Sequence, residues 1–521
     1  MDATAPKLSI LPAKGAARRR RFSTEALIKG FFGSNALVAI LVLALITIFL
    51  FREGFGFFDQ NLKNIRLYRR AGLEFVDIMR AQAERHALLS RQLREIRQQE
   101  LRAPGSEVAI AQLDQFADAF SDAADDLHGI VSDTTDQALA LRDALTASTS
   151  AASSADSSVE AQLSSATSKA APIVESTQGM VALRSAGGKF GQIVDVMKAK
   201  IDNLLATPPQ LTSAKARKAF EKWRGQTSDY LNQLPNASQQ LREWDAHKPV
   251  PAYRAITSFL FGPDWITASF WQDWYGVIPL LIGSIMVAAV ALLLAVPFGV
   301  ASAIYVSEVA TRGEKSLIKP YIEFISAIPS VVLGFFGIAV VGQTLRAVSQ
   351  VPWLSWVPFF PISERLNVFT AGSLLALMAV PTIFTLAEDA LQNVPRGFKE
   401  ASYALGANRL QTIGRVLVPA SLSGIVSAIL LGLGRVIGET MVVLLCAGNR
   451  IAIPDFTQGL GAFFQPVHTM TGIIAQEMGE VVRGSIHYRA LFMVGLVLFG
   501  LTLIINYFAQ KLVGRYRMSI G

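Results

Sequence analysis

Five stretches of the chain carry no charged residue over a length suited to crossing a bilayer: 33–51, 277–306, 324–345, 367–387 and 490–510. A membrane helix needs about 20 mostly apolar residues, so each is predicted to span. A sixth stretch, 416–449, is equally apolar apart from Arg435, Glu439 and its margins, and is counted as a span. The first run follows a basic segment, as in a secretory signal, but ends LITIFLFREGF with no small-residue cleavage pattern. The expectation is therefore an uncleaved anchor, six spans and both termini on one side.

Between the first and second spans the pattern changes. Residues 52–272 are hydrophilic, with apolar positions recurring at helical spacing: Leu89, Leu93, Ile96; Leu113, Phe116, Phe120, Leu127; Ile193, Met197, Ile201, Leu204; and Phe220, Trp223, Tyr230, Leu234. Breaks are predicted at Pro104-Gly105 and Pro208-Pro209. Residues 145–170 are rich in Ser, Ala and Thr, with little apolar surface to fix a core. The expectation is a loose helical bundle with one mobile segment. His86, His128 and His247 are scattered through it and are expected at the surface, with a docking or regulatory role for the bundle as a whole.

Charge orients the chain. Lys7, Lys14, Arg18 to Arg21, Lys29, Arg312, Lys315, Lys319, Arg396, Lys399, Arg409, Arg415, Lys511, Arg515 and Arg517 fall on the side of the N-terminus. The short loops on the other side hold only Arg346, Arg365, Arg450, Arg483 and Arg489. The positive-inside rule then places both termini in the cytoplasm and the insertion outside. The division is a basic N-terminus at 1–32, a first span at 33–51, an insertion at 52–272 and a five-span unit at 273–521. The net charge of +8 is densest at Arg18 to Arg21, beside the first span, which suits anionic lipid and not nucleic acid. The single cysteine, Cys446, excludes an internal disulfide or Cys-based metal cluster. An anchor followed by an external helical bundle would also describe a membrane sensor, but a sensor leaves the four later spans without a role.

Two segments carry candidate chemistry. FKEASYALGANRLQTIGRVLVPA, residues 398–420, reads as two short amphipathic helices about Gly406: Phe398, Ala401 and Leu405 share one face, and Leu410, Ile413 and Leu417 another. Gly406 permits a turn there, and small Ala401 and Ser402 permit close approach. In GRVIGET, residues 434–440, Arg435 and Glu439 lie four apart in an apolar run, where an ionised side chain costs several kcal/mol unless paired or wetted. They are expected to neutralise each other on one helical face, either on a solute pathway or as a packing pair. AIPSVVLGFFG, residues 327–337, combines Pro329 with Gly334 and Gly337, which fits a pathway helix or close packing. No G-x-x-x-x-G-K-[ST] phosphate cradle is present.

The 398–420 segment resembles the EAA loop of ABC importer permeases: Glu400, Ala401, Ser402, Gly406, Val416, Val418 and Pro419 take its positions, with Ser402 for Ala and Val for Ile and Leu. FLFGPDW, YGVIPLLIGS, AIPSVVLGFFG and GRVIGET are similar to segments of the PstC type of phosphate permease. The resemblance implies an all-α membrane protein with a MetI-like core and a helical periplasmic insertion, importing phosphate or, on the same guanidinium chemistry, sulfate or molybdate. It implies coupling through the 398–420 loop to a separate ATP-binding subunit, a second homologous permease and a periplasmic phosphate-binding protein, with no cofactor in this chain and Arg435 and Glu439 on the substrate pathway.

Overall fold

The computed structural model describes residues 24–101, 107–155, 165–354, 356–357 and 359–516. The Arg18 to Arg21 cluster, the Pro104-Gly105 break and Arg517 lie outside these residues. Among the described residues six helices are long and apolar enough to cross a membrane: Ile28–Arg70, Ile278–Val309, Ser330–Ser349, Val368–Gln392, Arg409–Ile437 and Ile486–Lys511. Their number matches the sequence pattern, but three boundaries differ for physical reasons.

The first helix, α1 (Thr24–Arg70), does not end where the apolar run ends. No proline lies between Phe51 and Arg70, and Arg52, Glu53, Gln60, Lys63 and Arg66 are good helix formers, so the helix continues as one rod of 47 residues into the insertion. The third span begins later than its apolar run. Residues to Ser326 belong to an amphipathic helix, α9 (Arg312–Ser326), and the membrane helix starts after Pro329. The third correction, at Gly438, bears on the candidate site and is described with it.

Among the described residues the insertion is not loose. Helices α2 (Leu73–Glu100), α3 (Glu107–Asp122), α4 (Asp125–Ala155), α5 (Ser165–Ala206) and α6 (Ala214–Glu243) enclose one core. Phe75, Leu93, Leu113, Phe120, Phe190 and Trp223 are fully buried in it. Phe116, Phe120, Phe220 and Trp223 meet with centroids 5.1–5.7 Å apart, in the edge and offset geometries that aromatic pairs favour. The Trp223 indole donates to the Leu89 carbonyl at 3.0 Å, and the Tyr230 hydroxyl to that of Gln82 at 3.1 Å. Glu100, fully buried, accepts from the backbone of Thr212 and Ser213 and so satisfies amides at the start of α6. His128 and His247 are exposed as expected, but His86 is 1% exposed, because position 86 follows the buried stripe of α2 through Met79, Gln82 and Ala83.

A compact joint links this bundle to the membrane helices. Helix α7 (Tyr253–Leu260) packs Phe259 on Phe57 of α1, and a two-stranded antiparallel pair, β1 (Trp265–Ile266) and β2 (Trp274–Tyr275), leads into α8 (Ile278–Ile304). Between the strands, the Trp271 indole donates to Asp77 at 2.9 Å, and the Arg80 guanidinium lies 4.0 Å above the Trp271 ring. On the opposite side α1 runs against α18 (Ile486–Tyr516). Gly54 and Gly56 allow this approach: a Cβ at Gly54 would come within 2.5 Å of Leu496, and one at Gly56 within 2.7 Å of Arg489. Helices α8, α12 (Val368–Gln392) and α15 (Val418–Ile437) form a second core.

Candidate functional site

The 398–420 segment folds as two short helices meeting at Gly406. The first, α13 (Arg396–Ala404), ends where Gly406 takes a φ of +83°, a left-handed conformation that side chains disfavour. Asn408 then caps α14 (Arg409–Thr412), its side chain accepting from Gln411 N while the Gln411 side chain accepts from Asn408 N. A π-helical turn, Ile413–Leu417, carries α14 directly into α15, whose early Pro419 falls where a missing amide is tolerated.

The segment has two unlike faces. Toward the protein, Ser402 is buried with its hydroxyl 2.9 Å from that of Thr412, and Ile413 and Leu417 join a core formed with Val306, Phe384 and Leu391. Away from it, Leu405 is 89% and Leu410 76% exposed, with Phe398 and Tyr403 also exposed. Between these lies a cavity of about 470 Å³ lined by Ala401, Ser402, Gly406, Arg415 and Val416 among others. Glu400 and Pro419 are exposed, and Val416 and Val418 half-buried. Leu405 and Leu410 thus stand exposed beside a preformed hollow.

Arg435 and Glu439 do not share a helical face. The apolar run conceals a helix end: α15 stops at Ile437, and a separate short helix, α16 (Met441–Cys446), follows. Gly438 and Thr440 flank Glu439 in this break. Glu439 accepts from the Met441 amide at 3.3 Å, and its carbonyl accepts from Thr471 Oγ1 at 2.9 Å. Arg435 instead donates through Nη1 to Thr382 Oγ1 at 3.1 Å and is exposed along the span, with no ion pair among the described residues. The expected mutual neutralisation is thus absent, because the helix needed to align the two residues ends between them. Thr382 lies near the middle of α12, which fixes the depth that the guanidinium reaches. Neither Thr382 nor Thr412 stood out in the sequence, since lone threonines in apolar or amphipathic helices ordinarily bond back to their own backbone.

In GLGRVIG, Gly432 admits a close neighbour, Ile383 of α12, whereas nothing lies within 4 Å of a Cβ built at Gly434. The third span's Gly337 is likewise enclosed by Leu374 and Cys446, so this part of AIPSVVLGFFG serves packing.

Residues 295–518 match the family described as binding-protein-dependent transport system inner membrane component, a range that includes the coupling-like segment, Arg435 and Glu439 and leaves out the insertion bundle. A probable ABC transporter permease protein, YqgH of Bacillus subtilis, is 36% identical over 242 residues, covering 46% of this chain and 72% of the relative. The phosphate transport system permease protein PstC of Haemophilus influenzae is 31% identical over 277 residues, covering 50% of this chain and 84% of the relative. A solved inward-facing structure of the MetNI methionine ABC transporter aligns at 20% identity and a TM-score of 0.34, over 46% of this chain and 94% of that one. The family accounts for the later spans that a sensor would leave idle. With six membrane helices among the described residues, a two-helix loop at the expected place and these relatives, the chain belongs to the binding-protein-dependent transport family as a multi-pass ABC importer permease of the PstC type.

Proposed function

We propose that this permease conducts inorganic phosphate into the cell. The observation that carries the reading is Arg435. Its guanidinium sits along a membrane span, exposed, without a carboxylate, and oriented by Thr382. Such a group facing hydrocarbon is costly, so its face is covered by water or another chain. A second, homologous permease completing a wetted pathway here satisfies that requirement. A guanidinium fork matches an oxyanion, and the PstC relatives favour phosphate over sulfate or molybdate. Glu439, at the break below the end of α15, lines the same route and limits how firmly the anion is held.

In this reading the exposed face of the 398–420 segment docks on a separate ATP-binding subunit, present in two copies per complex, and a periplasmic phosphate-binding protein delivers the anion. Both termini are cytoplasmic and the bundle is periplasmic, where it docks a partner or regulates uptake.

Uptake of labelled phosphate by the complex reconstituted in vesicles tests the reading, with sulfate and molybdate as competitors. Arg435→Gln should abolish uptake while the complex assembles, and Arg435→Lys should retain assembly but lose most uptake, since a point charge lacks the fork. Full phosphate uptake in Arg435→Gln, or stronger competition by sulfate or molybdate than by phosphate, would overturn it.

A further inference from the structure

Beside its apolar core around Ile413 and Leu417, the coupling-like segment makes polar contacts with the end of the second membrane span that converge on Glu308. After α8, the chain widens into a π-helical turn, Tyr305–Val309, and its fourth residue, Glu308, is 9% exposed. Lys399 of α13 reaches Glu308 Oε1 at 2.7 Å, and Ser307 Oγ donates to the same oxygen at 3.0 Å. Arg409, the first residue of α14, donates to the carbonyl oxygen of Glu308. Lys315 of α9 donates to the Ser307 carbonyl at 2.8 Å. The two helices on either side of Gly406 therefore each place one cation on Glu308, one on its carboxylate and one on its backbone.

This arrangement is more than local neutralisation. Cations at a helix C-terminus satisfy its last carbonyls and oppose its dipole, so the end of the second span is a natural anchor for them. A carboxylate this buried is also costly to separate from its partner, which makes the contact resist sliding in a way that apolar packing does not. Because both halves of the segment hold the same residue, they cannot move apart without breaking one of its contacts. The outer face of the segment, with Leu405 and Leu410, is left unobstructed.

We propose that Glu308 is the positioning residue through which displacement of the 398–420 segment is transmitted to the second membrane span. The inference rests on the reading that this segment docks on an ATP-hydrolysing subunit. It goes further by assigning the route of coupling to the Lys399–Glu308–Arg409 contact and not to the continuous helix from α14 into α15 alone.

The test is a double-mutant cycle in the reconstituted complex, reading phosphate uptake per ATP hydrolysed, with complex recovery and melting temperature measured beside it. Glu308→Gln and Lys399→Gln should each lower uptake per ATP roughly tenfold, the coupling expected of residues in direct contact, and the double variant should be no worse than either. Lys399→Arg, which keeps charge and reach, should retain coupling. Unchanged uptake per ATP in Glu308→Gln, losses that add in the double variant, or a loss that merely follows reduced complex recovery would overturn the proposal while leaving the transport reading intact. A wild-type complex without an ATP-hydrolysing partner would remove both.

Discussion

The Ser402 hydroxyl lies 2.9 Å from that of Thr412, both buried, and this contact joins the helices on either side of Gly406. Thr412 Oγ1 already donates to the Asn408 carbonyl at 3.1 Å, so Ser402 supplies the proton between the two hydroxyls.

That polarity predicts an asymmetry. Ser402→Ala leaves Thr412 its own donated bond and should cost about 1 kcal/mol or less, whereas Thr412→Val removes the acceptor of the buried Ser402 hydroxyl and should cost about 1–2 kcal/mol. Thermal unfolding of the purified permease reads both, and equal losses would contradict the assignment of the proton.

Gly406 offers a test of strain without crowding. Nothing lies within 4 Å of a Cβ built there, so a substitution meets only the cost of its φ of +83°. Gly406→Asn should be tolerated, while Gly406→Val should cost about 1–3 kcal/mol locally and lower uptake with membrane insertion intact. Uptake assays on the two variants check this, and equal uptake would count against the turn.

His86 makes the bundle sensitive to acid. Burial, its largest influence, pulls the imidazole from an ordinary 6.5 down to about 4 against an opposing backbone hydrogen bond with Phe120, with His128 acting in the same direction as burial and Asp125 against it. The folded state therefore favours neutral His86, and stability present above pH 6.5 is lost as pH falls toward 4, by about 3 kcal/mol. Unfolding followed through Trp223 at pH 7 and pH 4.5 should show the loss, and His86→Leu should flatten that part of the dependence.

Asp77 holds the joint between bundle and spans. Its carboxylate accepts from the Tyr68 hydroxyl at 2.5 Å and the Trp271 indole at 2.9 Å. Asp77→Leu orphans both donors and should cost about 2–4 kcal/mol, while Asp77→Asn keeps one acceptor oxygen and should cost less. Melting temperatures of the two variants decide it.

Much of this molecule could be read from its periodicities. Leu93, Leu113, Phe120, Ile201 and Trp223 are buried where helical spacing placed them, because a 3.6-residue pattern reports directly on which face meets a core. Hydropathy counts spans but says little about where helices end inside them. The break after Ile437 was concealed by an apolar run that continues to Cys446, and so Arg435 and Glu439 were aligned on a face that does not exist. The contact of Lys399 with Glu308 joins residues 91 positions apart. Nothing local to either marks the other as its partner. The tight packing of the bundle was hidden as well, since the Ser- and Ala-rich segment suggested looseness while the aromatic residues of α3 and α6 supplied the cohesion.

The first helix has a mechanical consequence. Forty-seven residues at 1.5 Å each make a rod of about 70 Å, more than twice the hydrocarbon thickness, and it contains no proline at which to bend. Gly54 and Gly56 seat it against Leu496 and Arg489 partway along its length. A rod with a seat is a lever with a fulcrum. Force applied to the bundle would be carried along α1 to that seat, since a helix without a proline offers no ready point at which to bend.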